Sequence, residues 1–316
     1  MISRDDVFAA REAFGGRLVR TPVLASQALS EETGTAAFLK AELFQHTGSF
    51  KPRGMLAKLA TLGPEEKDRG VVTWSAGNAA QALAYAAALE GIACRVFMWR
   101  SASPFKIAAT RAWGAEVDLE AEGPWEAYEG LLAHVQETGS TFVHPFDDPT
   151  LQAGHGTLGL ELAEDVPEAS VVVCPVGGGG FIAGVATALD CRVVGVEPEG
   201  APTLTEALRA GRSVRIEPRT IADGLATPFA GESCLAVCLE RVGDVVLLTE
   251  EEIAAGMRFL YERAKLACEP AGAAAVAALL AGKVPVQPGE TVVAIVSGGN
   301  VDPKIAAAIL ARRHEG

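Results

Sequence analysis

From residue 70 onward, short β-branched or apolar runs alternate with segments whose apolar positions recur at helical spacing. GVVTW is followed by AAQALAYAAALEG, CRVFMW by SPFKIAATRAWG, and AEVDLE by PWEAYEGLLAHVQETG, before a last short run, TFVHPF. A strand period followed by a helix period, several times over, predicts βαβ units, and such units build a mostly parallel sheet covered by helices.

After HGTLGLELAED a second alternation begins: VVVCPVGGGG, the helical FIAGVATALD, the run CRVVGVEPEG and the helical APTLTEALRAG. Later come DVVLLT, the helix EEEIAAGMRFLYERAK, and TVVAIVSGGN with a closing helix. Thr249 with Glu252 three residues on is a capping-box pattern, which marks where the second of these starts. Residues 212–231, RSVRIEPRTIADGLATPFAG, follow neither period and are read as ordered loop, whereas the alanine-rich AGAAAVAALLAG reads as a buried helix.

The first 65 or so residues carry too few strand signals to stand alone and are expected to join the second sheet. The predicted fold class is therefore α/β, with two open, mostly parallel sheets flanked by helices and the smaller lobe inserted in the larger. This assigns residues 1–65 and 147–316 to a large domain and 66–146 to a small lobe.

Composition narrows the partners. The 316 residues are 49% hydrophobic, ample for a folded core. A net charge of -13, with no clustered Lys and Arg, argues against a nucleic-acid surface. No apolar run reaches the roughly 18 residues of a membrane span. The opening MISRDDVFAAREAF has charges where a secretory signal needs an apolar core. Six cysteines, Cys94, Cys174, Cys191, Cys234, Cys238 and Cys268, show no CxxC spacing and fit a reduced, cytoplasmic compartment.

Four segments could carry chemistry. Residues 171–184, VVVCPVGGGGFIAG, place Gly177, Gly178, Gly179 and Gly180 between a buried strand and a helix, where exposed amides and the helix dipole suit a phosphate. Gly178, Gly180 and Ala183 also match the GxGxxG/A pattern, with Glu197 placed like a ribose-binding acid, so a nicotinamide-dependent oxidoreductase is a rival reading. In TWSAGNAAQ, Ser75 and Asn78 serve equally as helix caps or as parts of a carboxylate-binding turn. VSGGN, ending at Asn300, repeats that architecture, with Asp302 and Pro303 opening the next helix.

The fourth is HTGSFKPRG, residues 46–54. Pro52 suits the first turn of a helix, and that end is positive, so Lys51 and Arg53 are electrostatically misplaced unless function or solvent excuses them. On the stretch alone the reading is a solvated basic turn. A lysine partly buried there has its charged form disfavoured, which leaves an amine able to attack an aldehyde or take a proton.

Together TGSFKPRG, SAGN, HPFDDP, CPVGGGG and SGGN resemble, in that order and over nearly the whole chain, pyridoxal-phosphate enzymes of the tryptophan synthase β-like fold. Within it the likeness is to the serine/threonine dehydratase and serine racemase group. The resemblance implies pyridoxal 5'-phosphate as cofactor, held by Lys51 as a Schiff base with Phe50 packed beside it. It further implies Asn78 on the ring hydroxyl, Gly177 to Gly180 around the phosphate, and Ser297 at the ring nitrogen. Ser75, Ala76, Gly77, Asn78 and Ala79 would take the carboxylate of a small amino-acid substrate, and the enzyme would be a homodimer. The implied reaction is deaminating dehydration of L-threonine or L-serine.

The chain departs from the group's pattern at several positions. Racemases resemble SSGN, with a second serine where this chain has Ala76, which implies elimination rather than racemisation. Ala79 replaces a frequent histidine and keeps other β-hydroxy amino acids open, 3-hydroxyaspartate and phenylserine among them. His155 replaces a common glutamine. The family's divalent-cation spacing falls on Glu197, Ala201 and Thr203, and threonine is a poor substitute for aspartate as a hard-cation ligand, so no metal is expected and Glu197 is read as closing a strand end. Sixteen residues follow Asn300, which by the resemblance implies the short catabolic type without a regulatory domain.

Overall fold

The computed structural model describes residues 1–311. In chain order its strands are β1 (Val23–Ala25), β2 (Ala36–Ala41), β3 (Val71–Trp74), β4 (Cys94–Trp99), β5 (Glu116–Ala121), β6 (Thr141–Phe142), β7 (Val171–Pro175), β8 (Arg192–Pro198), β9 (Asp244–Leu248) and β10 (Thr291–Val296). They form a six-stranded sheet, β1-β2-β10-β7-β8-β9, and a four-stranded sheet, β5-β4-β3-β6. Every pairing is parallel except β1 with β2.

The sequence explains the central strands. β7 is buried at all its positions, as a parallel strand covered on both faces should be. Its side chains alternate between two cores. Val171 and Val173 pack with Val194 and Val196 against the alanine-rich helix Pro270–Leu280, whereas Val172 and Cys174 pack with Val193 against the helix Gly180–Ala188. β1 is short and largely exposed, which suits an edge.

Topology then positions the functional segments. β10 lies between β2 and β7, so its carboxyl end, with Ser297 directly after it, adjoins the glycine turn after β7. β2 leads through two short turns, Glu42–Phe44 and His46–Gly48, to Lys51, and β3 of the smaller sheet ends at the Ser75 turn. Carboxyl ends of strands where a sheet changes direction are the usual ligand sites of α/β folds.

Some elements differ from the sequence reading. EEEIAAGMRFLYERAK is α-helical over Glu250–Phe259 and then widens to a π turn, Leu260–Ala264, closed by Lys265 in the left-handed region. TFVHPF contributes only Thr141 and Phe142 to its sheet. The helix Glu232–Arg241 has no clear apolar stripe in sequence and escaped it. Residues 212–231 are loop but for one turn, Asp223–Leu225. Among the described residues no helix is long and apolar enough to cross a membrane.

Candidate active site

Lys51 is the N-cap of the helix Pro52–Ala60. The solvated basic turn is corrected at Arg53, which is 1% exposed. Its Nε and Nη2 donate to the Glu42 carboxylate at 2.8 Å each, and Nη1 donates to Glu161 Oε1 at 2.7 Å. The buried Lys40 completes the network through Glu161 Oε2 at 2.7 Å. Burial works to raise the Glu42 carboxyl, but Arg53 and Lys40 outweigh it and hold the group below its ordinary range. The cation misplaced on the helix dipole is thus paired from behind, and it braces the backbone two residues from Lys51.

Lys51 is placed differently. Its Nζ donates to the Pro145 carbonyl at 2.8 Å, and burial pushes the ammonium down to about 8. Phe50 stacks on Phe181 with centroids 3.8 Å apart and meets the buried His155 edge-on at 4.9 Å. His155 is held well below its ordinary value by burial, so it is neutral. The Phe50 amide donates to the Ser297 carbonyl at 3.1 Å and the Gly299 amide to the Gly48 carbonyl at 2.9 Å, joining the lysine loop to the SGGN loop.

A cavity of about 270 Å³ brings the sequence candidates together: Phe50, Lys51, the turn Ser75, Ala76, Gly77, Asn78 and Ala79, the four glycines 177–180, and Ser297. Two helices, Asn78–Glu90 and Gly180–Ala188, begin at this cavity with no side-chain cap, leaving first-turn N–H groups for anions. Ser75 Oγ accepts from the Gly77 amide at 3.1 Å, and Gly77 rather than Ser75 or Asn78 occupies the N-cap.

The glycine turn has packing reasons of its own. Gly179 has φ +88, and a Cβ on Gly180 would lie 2.2 Å from the Phe146 carbonyl oxygen. Glu197 does not line the cavity. It accepts from the amides of Leu204 and Thr205 at 2.6 and 2.9 Å and from the hydroxyls of Thr203 and Thr205, so it caps the helix Thr203–Ala210. That removes the acid a dinucleotide site needs.

Three charged residues of the site were not singled out from sequence. Glu269, just before Pro270, lines the cavity with its side chain 1% exposed, and Asp223 lines it from the 212–231 loop. Lys106, with its side chain 5% exposed, donates to Asp223 Oδ2 at 2.6 Å and lies 3.9 Å from Glu269 Oε2. The one signal available was an acid directly preceding the apolar PAGAAAVAALL.

The profile of the family described as pyridoxal-phosphate dependent enzyme matches residues 16–298. L-threonine ammonia-lyase of Thermotoga maritima is 45% identical over 308 residues, which is 96% of this chain and 76% of that protein. Among solved structures, maize serine racemase superposes with a TM-score of 0.92 at 33% identity, covering 96% of this chain and 94% of that one. The T.th. threonine deaminase gives 0.89 at 39% identity, covering 95% and 99%. With Lys51 sharing a cavity with a glycine turn and two open helix starts, these likenesses lead to one conclusion: the chain belongs to the family of pyridoxal-phosphate-dependent enzymes.

Proposed function

We propose that this chain catalyses the deaminating dehydration of L-threonine and L-serine to 2-oxobutyrate and pyruvate, with release of ammonia. The observation that carries the reading is the Lys51 amine, desolvated and sharing one cavity with two uncapped helix starts.

The residues present fit the cofactor. Gly177 to Gly180 and the start of the helix Gly180–Ala188 would hold its phosphate, Lys51 its aldehyde carbon, Asn78 its ring hydroxyl and Ser297 its ring nitrogen. Bound there, pyridoxal phosphate supplies an electron sink conjugated to the α-carbon of an amino acid. In the same reading residues 66–146 carry the substrate-binding turn, and 1–65 with 147–316 carry the cofactor.

The chain's own groups supply the rest. Amides of residues 75–79 bind the substrate carboxylate, with the dipole of the helix Asn78–Glu90 behind them. Lys51 Nζ, with its charged form disfavoured, takes the α-proton. That proton and the β-hydroxyl make one water, and hydrolysis of the released enamine consumes one, so the net products are a 2-oxo acid and ammonia. Ala76 offers no hydroxyl as a second base, which supports elimination over racemisation.

The wall formed by Asp223 and Glu269 sets two acids against Lys106, so above the Glu269 titration at about 7 it disfavours a second carboxylate on the substrate. This supports threonine and serine over 3-hydroxyaspartate. The resemblance supports a homodimer, and six free cysteines support a reducing, cytoplasmic setting. The test is 2-oxo acid release by the cofactor-loaded protein from L-threonine, L-serine, D-serine, 3-hydroxyaspartate and phenylserine, each offered alone. Release from the first two supports the reading, and turnover of only another member moves the substrate.

A further inference from the structure

Asn78, Asn300 and Glu269 form a hydrogen-bonded chain whose direction is fixed at one end. The Thr47 carbonyl can only accept, so Asn300 turns its Nδ2 there, at 2.6 Å. The same nitrogen donates to Asn78 Oδ1 at 2.8 Å, and Asn78 in turn directs its Nδ2 to Glu269 Oε1 at 2.6 Å. Thr47 has φ +60, an unfavourable conformation for a β-branched residue. Gly48 follows at φ +71, where a Cβ would lie 2.8 Å from Asn300 Oδ1. Local strain is therefore located where it aims a carbonyl at Asn300.

At the other end Glu269 is buried, and its Oε2 has no hydrogen-bond partner among the described residues. Lys106 stands 3.9 Å from that oxygen. Asn78 and Lys106 flank strands of the four-stranded sheet, whereas Glu269 and Asn300 flank strands of the six-stranded one, so the chain crosses between the two sheets.

We propose that Thr47, Asn300, Glu269 and Lys106 are positioning residues that hold the Asn78 amide with an N–H, rather than its carbonyl, available to the cavity, Lys106 standing 3.9 Å from the Glu269 carboxylate as its counter-ion. The ligand atom matched to that N–H is an anionic oxygen, as on the deprotonated ring hydroxyl of the cofactor. This rests on the cofactor assignment and is independent of which amino acid is the substrate.

The charged and titratable groups facing Glu269 are Lys106 from the helix Pro104–Ala112, Asp223 from the 212–231 loop and the adjacent Cys268 thiol. Burial pushes the Glu269 carboxyl up to about 7, with Lys106 opposing that rise and Asp223 adding to it. Removing the Lys106 charge therefore moves Glu269 protonation to higher pH, and Glu269→Gln removes it altogether.

The experiment is a pH titration of the absorption spectrum of the cofactor-bound enzyme without substrate, in wild type, Glu269→Gln, Lys106→Met and Lys106→Arg. The expected result is a spectral transition near neutrality in wild type, absent in Glu269→Gln, displaced upward by about one pH unit or more in Lys106→Met, and restored in Lys106→Arg. No transition in wild type, its persistence in Glu269→Gln, or an unmoved midpoint in Lys106→Met overturns the proposal. If Glu269→Gln does not fold, the two Lys106 variants decide it. A wild type that shows the transition but leaves L-threonine intact supports this inference and fails only the substrate assignment.

Discussion

Arg53 donates two hydrogen bonds to the Glu42 carboxylate, both 2.8 Å long, in a region where neither side chain reaches solvent. Removing one partner leaves the other as an uncompensated buried charge. Arg53→Leu should lower the stability of the cofactor-free protein by about 3–5 kcal/mol. Adding Glu42→Gln should recover part of that loss, because the orphaned carboxylate dominates it. Urea denaturation of the three proteins checks this; a double variant no more stable than the single would contradict it.

The environment of Lys51 sets its reactivity. With its ammonium pushed down to about 8 by burial, the neutral amine predominates above that pH, whereas an ordinary lysine becomes neutral near about 10.4. Competitive labelling of the cofactor-free protein with an amine reagent across pH, read residue by residue by mass spectrometry, should give Lys51 a midpoint near 8. A midpoint with the surface lysines would show that burial does not act as described.

Gly180→Ala places a Cβ 2.2 Å from the Phe146 carbonyl oxygen, a backbone atom that cannot swing aside. Overpacking of this kind destabilises by about 1–3 kcal/mol. The turn should shift, lowering cofactor affinity by more than about tenfold as well as the melting temperature. Cofactor titration and thermal melts measure both, and unchanged affinity would assign this glycine to packing alone.

Ala76→Ser introduces the second serine that the resemblance assigns to racemases. The variant should gain interconversion of L- and D-serine by at least about tenfold over wild type, short of the roughly 10²–10⁴ of a well-placed acid–base group because the new hydroxyl has no evolved surroundings. Chiral chromatography of the reaction mixture decides; no gain would mean that the opposite face lacks more than a hydroxyl.

Much of this was legible along the chain because it depends on local pattern. The alternating runs after residue 70 announce their strands and helices, and the capping box at Thr249 is present as read, with Glu252 accepting from the Thr249 amide. The glycine turn and the lysine loop are contiguous motifs. The partners of Arg53 were not legible, since Glu161 lies 108 residues away. The same holds for Lys106, whose helix looks amphipathic and ordinary while its ammonium reaches Asp223, 117 residues on. The loop 212–231 follows no period because its residues serve distant groups: Arg215 packs 3.7 Å over the Trp125 ring, and Asp223 pairs with Lys106.

The most direct test of the central claim is 2-oxo acid release from L-threonine by the pyridoxal-phosphate-loaded wild type and Lys51→Ala, side by side. The account predicts steady release of 2-oxobutyrate by wild type and a rate at least about 10²-fold lower in the variant. Lys51→Ala turning over at the wild-type rate would contradict it.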